Sequence, residues 1–508
     1  MFPVIRVRLS PTVHPPWTRS RSPRHDLRMA SPSLATSADV ALLSTPYAGP
    51  CHRHDRDLPP GALDFSAAGH LYATHGLHAF AARLPPPLAR WAIETFTDSG
   101  DYVLDVMCGS GTTLVEGLLT GRHAWGVDID PLARLITLTK ATLIEPATIL
   151  DFATKVERLL DDGQLDDSWR PALPRLDYWF RADVCRDLAR LKSAIVALTK
   201  SDSPLRSLAW TMFSSLIVAR TSVANARDLV HSRHHFREWT KDPDVPGRFL
   251  RQMSRAARMM QELSDLSAGG ASATARLVGN DARSLMLADG AVDLTFFSPP
   301  YVSALDYPRA HAFAVAWLSD VFDVDLDRYR VDARRYIGTD RAALADATSD
   351  QPLPPSTGSP AVDGIVGRLR ESPEKAWTVY RYFRDMGLVL SECARVTRPG
   401  GHVVIVVCPS NIRRVRIDTH DVFAALAPVV SGGCLEVEDT YSRTIHDHRR
   451  VMPYLEQAFG ERMRTEYVVV ARRTAARRAR AKPVLPTPPS EALRVSRRPP
   501  QAAAGSST

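Results

Sequence analysis

Two apolar patterns alternate along the chain. Short apolar runs bounded by glycine, proline or acid read as strands, and longer stretches with apolar residues every three or four positions read as helices. The first kind falls at 101–105, 124–128, 275–278, 292–297, 403–408, 434–438 and 466–471. The run at 403–408, Val-Val-Ile-Val-Val-Cys, is unbroken but far too short to cross a membrane, as expected of a strand buried on both faces. The second kind predicts helices over 113–119, closed by Gly121, and over about 374–396. Residues 150–265 are helical in pattern, with breaks at Pro171, Pro174, Pro204, Pro243 and Pro246. Strand, glycine loop, helix and strand within 101–128 make a β-α-β unit, which implies a parallel sheet. The predicted fold is α/β: a Rossmann-like, doubly wound sheet of six or seven strands. Helical insertions are expected at 150–270 and 302–370. The second contains a Pro/Ser/Asp/Thr-rich loop at 345–362, and Arg398-Pro399-Gly400-Gly401 reads as a tight turn.

Charge alters this picture less than its total suggests. The 508 residues carry a formal net charge of +8. Residues 1–37 hold six Arg and one Asp, and residues 472–508 hold eight Arg, one Lys and one Glu. Subtracting both tails leaves −5 for the body. The Pro-interrupted basic tails, 1–40 and 472–508, are expected to be disordered, with loose attraction to phosphates as their functional alternative. Met29 is an alternative start. The six cysteines are scattered and form no CxxC, which fits a reducing compartment such as a bacterial-type cytoplasm. Cys51-His52-Arg53-His54 and His231/His234/His235 lack a second ligand pair at zinc spacing, so no metal is expected.

The candidate chemistry sits at two strand ends. Cys108-Gly109-Ser110-Gly111-Thr112 follows the first strand and opens a helix, where glycines allow a close approach and free N–H groups face a ligand. Asp128 ends the next strand, where a carboxylate can accept both hydroxyls of a ribose. The cofactor is therefore expected to contain a nucleoside. A dinucleotide would want a third glycine near 114, where the chain has Leu114. Asp281, after the third strand, is a further acid that doubles as a turn and helix cap. Ser298-Pro299-Pro300-Tyr301 ends the strand 292–297. Two prolines stiffen that loop. An aromatic amine is a poor nucleophile, and acceptors on its two hydrogens help it become tetrahedral. The Ser298 hydroxyl and the Pro299 carbonyl are the candidate acceptors, and Tyr301 is a candidate stacking surface for a flipped base. Cytosine-C5 chemistry would need a Pro-Cys nucleophile here. The chain's Pro-Cys, Pro50-Cys51, precedes the whole sheet.

Leu104-Asp105-Val106-Met107-Cys108-Gly109-Ser110-Gly111-Thr112-Thr113 resembles the FxGxG cofactor motif of amino-group DNA methyltransferases, usually written LDPFCGSGTT, with Val106-Met107 in place of Pro-Phe. Ser298–Tyr301 resembles their [DNS]PP[YFW] motif, whose Ser form is commonest in cytosine-N4 enzymes. Residues 74–85 are similar to the HGxHxYxAK/R segment, 302–309 to NxxDYxR, and 398–401 to KPGG. The resemblance implies a methyltransferase sheet and S-adenosyl-L-methionine as cofactor. It places Asp105 and the loop Cys108–Thr112 around the methionine part, Asp128 on the ribose and Asp281 on the adenine. It also implies a cofactor half at 41–149 and a catalytic half at 271–471. The substrate is expected to be DNA, cytosine before adenine. Transfer RNA modified at guanine N2 is the alternative, and a non-catalytic nucleic-acid-binding protein is a third reading. Candidate phosphate contacts are Arg220, Arg227, Arg233, His234, His235 and Arg237 in the region 150–270, and Arg413, Arg414 and Arg416 after the strand 403–408.

Overall fold

The structure, a computed structural model, describes residues 61–65, 69–162, 164–218, 243–267, 273–303, 305–340, 353–445 and 465–475. The segments containing Cys51–His54, His231 to Arg237, Arg220 and Arg227 lie outside the described residues, as do residues 1–60 and 476–508.

β1 (Tyr102–Asp105), β2 (His123–Val127), β3 (Ala275–Gly279), β4 (Val292–Phe297), β5 (Thr397–Val407), β8 (Leu435–Thr444) and β9 (Thr465–Arg473) form one seven-stranded sheet in the order β3-β2-β1-β4-β5-β9-β8. Pairs from β3 through β5 are parallel, and β9 runs antiparallel to both its partners. The chain winds outward from β1 to β3 and then returns to the centre at β4. The sheet therefore has its topological switch point between β1 and β4, where open α/β sheets bind ligands.

The unbroken apolar run of β5 has a simple physical reason. Val403, Ile405 and Val407 pack on one face of the sheet, with α13 (Pro373–Val396) and α14 (Thr419–Val430). Val404 and Val406 pack on the other, with Leu88, Trp91 and Ile93 of α1 (Pro86–Phe96). A strand covered on both faces has no polar side to alternate with.

A third core lies beside the sheet. It joins α4 (Pro146–Asp161), α6 (Ala182–Leu198), α7 (Pro204–Val218) and α8 (Val245–Ser267) to Tyr72 and Leu77 and to Phe313, Trp317 and Leu318. The last three belong to α9 (Tyr307–Trp317) and the residue that follows it. The two inserted regions thus share one apolar cluster. Between α4 and α6 lies the single turn α5 (Leu176–Trp179).

The breaks expected at Pro204 and Pro246 fall where helices begin: each proline stands in a first helical turn, which has no use for its missing N–H. One expectation needs correction. Arg398–Gly401 is not a turn between elements. It lies inside β5 as an irregularity, with the pairing register slipping between Val292 and Leu294 and Gly400 at φ 84. Glycine and proline punctuate bulges as readily as turns. A two-stranded hairpin, β6 (Ser410–Ile412) with β7 (Val415–Ile417), follows β5 and had no counterpart in the sequence pattern.

One buried carboxylate ties the segment before α1 to the helix after the glycine loop, α2 (Thr112–Leu119). Glu116 is fully buried and accepts from Tyr72 Oη at 2.6 Å and Arg90 Nε at 2.7 Å. His75 Nε2 lies 2.6 Å from the same carboxylate. Burial holds His75 down to about 4, so it is neutral and donates. Arg90 balances the buried charge. Removing that charge leaves the guanidinium facing a neutral amide. Glu116→Gln is expected to cost about 3 kcal/mol, read as a lower urea midpoint at unchanged slope. An unchanged midpoint would mean the network contributes nothing to stability.

Candidate active site

β1 and β4 lie side by side, with Val103 opposite Leu294 and Leu104 opposite Thr295. The loops that follow them therefore leave the same edge of the sheet together. The glycine loop and the Ser298 loop, about 190 residues apart in sequence, line one cavity of about 960 Å³ including its open mouth.

The glycine loop closes on itself and on the next strand. Cys108 N–H donates to Val127 O at 3.0 Å, and Gly111 N–H donates to Cys108 O at 2.7 Å. Gly111 has φ 79, and a Cβ there would stand 3.0 Å from Thr137 of α3 (Pro131–Lys140), so backbone conformation and space both demand glycine. Asp105, Met107, Cys108, Gly109, Ser110, Thr112, Asp128 and Asp281 border the cavity, whereas Gly111 stands behind its wall.

The acids differ in their surroundings. Asp105 is buried and accepts from Thr113 Oγ1 at 2.5 Å and Met107 N–H at 3.0 Å, yet burial pushes its pKa up to about 7. Asp128 accepts from Gly109 N–H at 2.8 Å and Asp130 N–H at 2.9 Å. Burial, with the nearby Asp130 charge, raises Asp128 to about 6. Asp130 is different. Burial opposes its ionisation, but His311, with Nδ1 at 2.9 Å, outweighs that and holds its pKa below the ordinary value. Asp281 is gripped by Arg283, whose Nε and Nη2 donate at 2.9 and 2.8 Å. Asp281 also caps its own turn through Arg283 N–H, so the turn reading and the cavity reading hold together.

In the Ser298 loop, the Ser298 hydroxyl donates to Val406 O of β5 at 3.0 Å. Its proton is thereby committed away from any ligand, and its lone pairs remain available. Ser298 and Pro300 border the cavity. Pro299 and Tyr301 do not line it. The Tyr301 hydroxyl is tied to Glu466 Oε1 of β9 at 3.0 Å, and Glu466 is held in turn by buried Arg443 at 2.8 Å.

Several wall residues were not singled out from sequence. Phe80 lies against Gly109, 3.3 Å from where a Cβ would stand, and its ring packs 6.1 Å from Tyr307 and 5.2 Å from His311. Phe80 and Tyr307 fall within the two segments, 74–85 and 302–309, that carried the resemblance, so a signal existed. Arg335, Tyr336 and Ile337 also border the cavity, and nothing in the pattern around them pointed there.

The sheet is Rossmann-like, and its cavity lies at the switch point between β1 and β4, where S-adenosyl-L-methionine would bind. The cavity suits this cofactor: the carboxyls of Asp105 and Asp128, which border it, would attract a molecule that carries a sulfonium and an ammonium, and Leu114 leaves a pyrophosphate loop without its third glycine. Residues 53–137 match the family described as DNA methylase, the N6/N4 amino-group type, and the chain is recognised as similar to that family. A type II methyltransferase of Kocuria varians, M.MvaI, is 23% identical over 372 residues, covering 70% of this chain and 80% of its own. A type II methyltransferase of Methanocaldococcus jannaschii, M.MjaII, is 35% identical over 66 residues, which is 13% of this chain and 12% of its own. A solved S-adenosylmethionine-dependent methyltransferase of Methanosarcina mazei aligns over 75% of this chain and 96% of its own, at 9% identity and a TM-score of 0.25. Among the described residues, no helix is long and apolar enough to cross a membrane.

The raised carboxyls give the cavity a pH signature. Below about pH 5.5 both Asp105 and Asp128 are mostly protonated, and above about pH 8 both are ionised and attract cations. Affinity for S-adenosylmethionine should rise across this interval by about tenfold more than affinity for S-adenosylhomocysteine, whose sulfur is neutral. Titration calorimetry at several pH values measures both. Parallel pH profiles for the two ligands would remove these carboxylates from cofactor recognition.

Proposed function

We propose that the chain methylates the exocyclic N4 of cytosine in DNA, with adenine N6 as the second target. The observation that carries this reading is the orientation of Ser298. Its hydroxyl donates inward to Val406 O, so toward the cavity it acts as an acceptor. An acceptor is what a conjugated amine needs, because binding its hydrogens draws the nitrogen out of the ring plane and frees its lone pair. The serine form of the tetrapeptide favours cytosine, and the family description favours DNA over RNA.

The cofactor supplies an electrophilic methyl on a sulfonium. The protein's residues do the rest by placement. Asp105 and the Cys108–Thr112 backbone hold the methionine end, Asp128 the ribose and Asp281 the adenine. Phe80 covers the loop at Gly109 and supplies an aromatic face to the cationic sulfur. Ser298 Oγ accepts from the amine. With the methyl group supplied by the bound cofactor, Ser298 Oγ would hold an N–H hydrogen of the amine, whose proton would pass to water once the nitrogen is alkylated. Tyr301, fixed at its hydroxyl by Glu466 and set behind the cavity wall, supports the Ser298 loop rather than stacking on a base in the cavity.

Tritiated methyl transfer to DNA followed by nucleoside analysis tests this directly, with label expected in N4-methylcytosine. Label in N6-methyladenine would shift the target, and label in transfer RNA alone would overturn the DNA reading. Ser298→Ala is expected to lower turnover about a hundredfold while leaving cofactor affinity within twofold. Undiminished turnover would take Ser298 out of the reaction. Phe80→Ala should instead raise the KM for S-adenosylmethionine several-fold.

A further inference from the structure

The β6–β7 hairpin has an uncommon tip. Ile412 pairs with Val415, so the turn has two residues, Arg413 and Arg414. Both adopt left-handed backbone, at φ 50 and φ 65. Two-residue hairpin turns favour this conformation, and Asn-Gly is the pair that adopts it most readily. Two arginines in succession there are strained. Backbone strain of this kind persists where the surrounding structure enforces it, and it clusters at sites of function.

The surrounding structure does enforce it. Ile412 and Ile417 are buried in the core beneath, while Asn411, Arg413, Arg414 and Arg416 are exposed. Arg416 is paired with Asp418 at 2.8 Å and so braces the root. The tip therefore carries Arg413 and Arg414, both exposed, above buried Ile412 and Ile417, on a body whose net charge between the tails is −5.

Its location supplies the second argument. The hairpin follows β5, which is parallel to β4 and ends at the same edge of the sheet. Val406 O of β5 takes the Ser298 hydroxyl. From Val406 to Ser410 the chain can extend at most roughly 14 Å. A base held at Ser298 brings its flanking phosphates, which on each strand follow one another about every 3.4 Å of helix axis, past that root.

We propose that Arg413 and Arg414 grip the phosphate backbone of duplex DNA beside the base undergoing methylation. This deepens the proposed function and rests on DNA being the substrate. The hairpin reads no sequence. It fixes the height of the duplex over the cavity, as phosphate contacts do.

The test replaces the tip by the turn's preferred residues, Arg413→Asn with Arg414→Gly. The melting temperature should stay the same or rise, because the strain is relieved, and affinity for S-adenosylmethionine should not change. Affinity for a duplex oligonucleotide at about 0.1 M salt should fall roughly ten- to a hundredfold. The slope of log affinity against log salt should shrink by about one to two. Arg413→Lys with Arg414→Lys, which keeps the charge, should retain most of that slope. An unchanged slope in the Asn-Gly protein would overturn the proposal while leaving the DNA reading intact. So would a lowered melting temperature accompanied by weaker cofactor binding, since the arginines would then be structural. Failure of the unaltered protein to bind duplex DNA would end both.

Discussion

Parallel pairing of β1 with β4 is the constraint on which the site depends. Each strand alone ends in a short polar loop of no particular consequence. Adjacent and aligned, they deliver the glycine loop and the Ser298 loop to one edge, where both line a common cavity. β5 completes the arrangement by offering Val406 O to Ser298. The sheet positions atoms that no local interaction could hold, since the residues concerned are far apart in the chain.

Electrostatics then divides labour within the cavity. Asp130 is neutralised by His311, and Asp281 by Arg283, so neither presents a bare charge. Asp105 and Asp128 have only N–H and O–H donors and remain poised near neutrality. A cationic ligand supplies the charge they lack. The same poise makes them poor company for a pyrophosphate, which agrees with the position of Leu114 where a dinucleotide loop would need glycine.

Much of this was legible in the sequence because the informative residues are local. β1, the glycine loop, α2 and β2 sit within one short stretch, and buried strands such as Val292–Phe297 announce themselves as apolar runs. The tetrapeptide marks itself by two prolines. What stayed hidden is tertiary. Three-residue strands such as Ser410–Ile412 are too short for periodicity to register. Arg335, Tyr336 and Ile337 reach the cavity through tertiary contacts, the Tyr336 hydroxyl donating to Asp130 at 3.2 Å. Arg398–Gly401 misled because glycine and proline mark a departure from regular backbone without stating which kind. Tyr301 was assigned a ring but not an anchor, for nothing near it in sequence foretells Glu466.

The long excursion between β2 and β3, residues 128–274, carries a thermodynamic corollary. Closing a chain segment between two fixed strands costs free energy only as the logarithm of its length, about 0.6 kcal/mol for each doubling. From Pro146 to Ser267 that excursion packs in a cluster beside the sheet, shared with Tyr72, Leu77, Phe313 and Trp317, so lengthening it there would cost the central strands little. Chain length in this region can therefore change while the edge that carries the glycine loop and Ser298 is left alone.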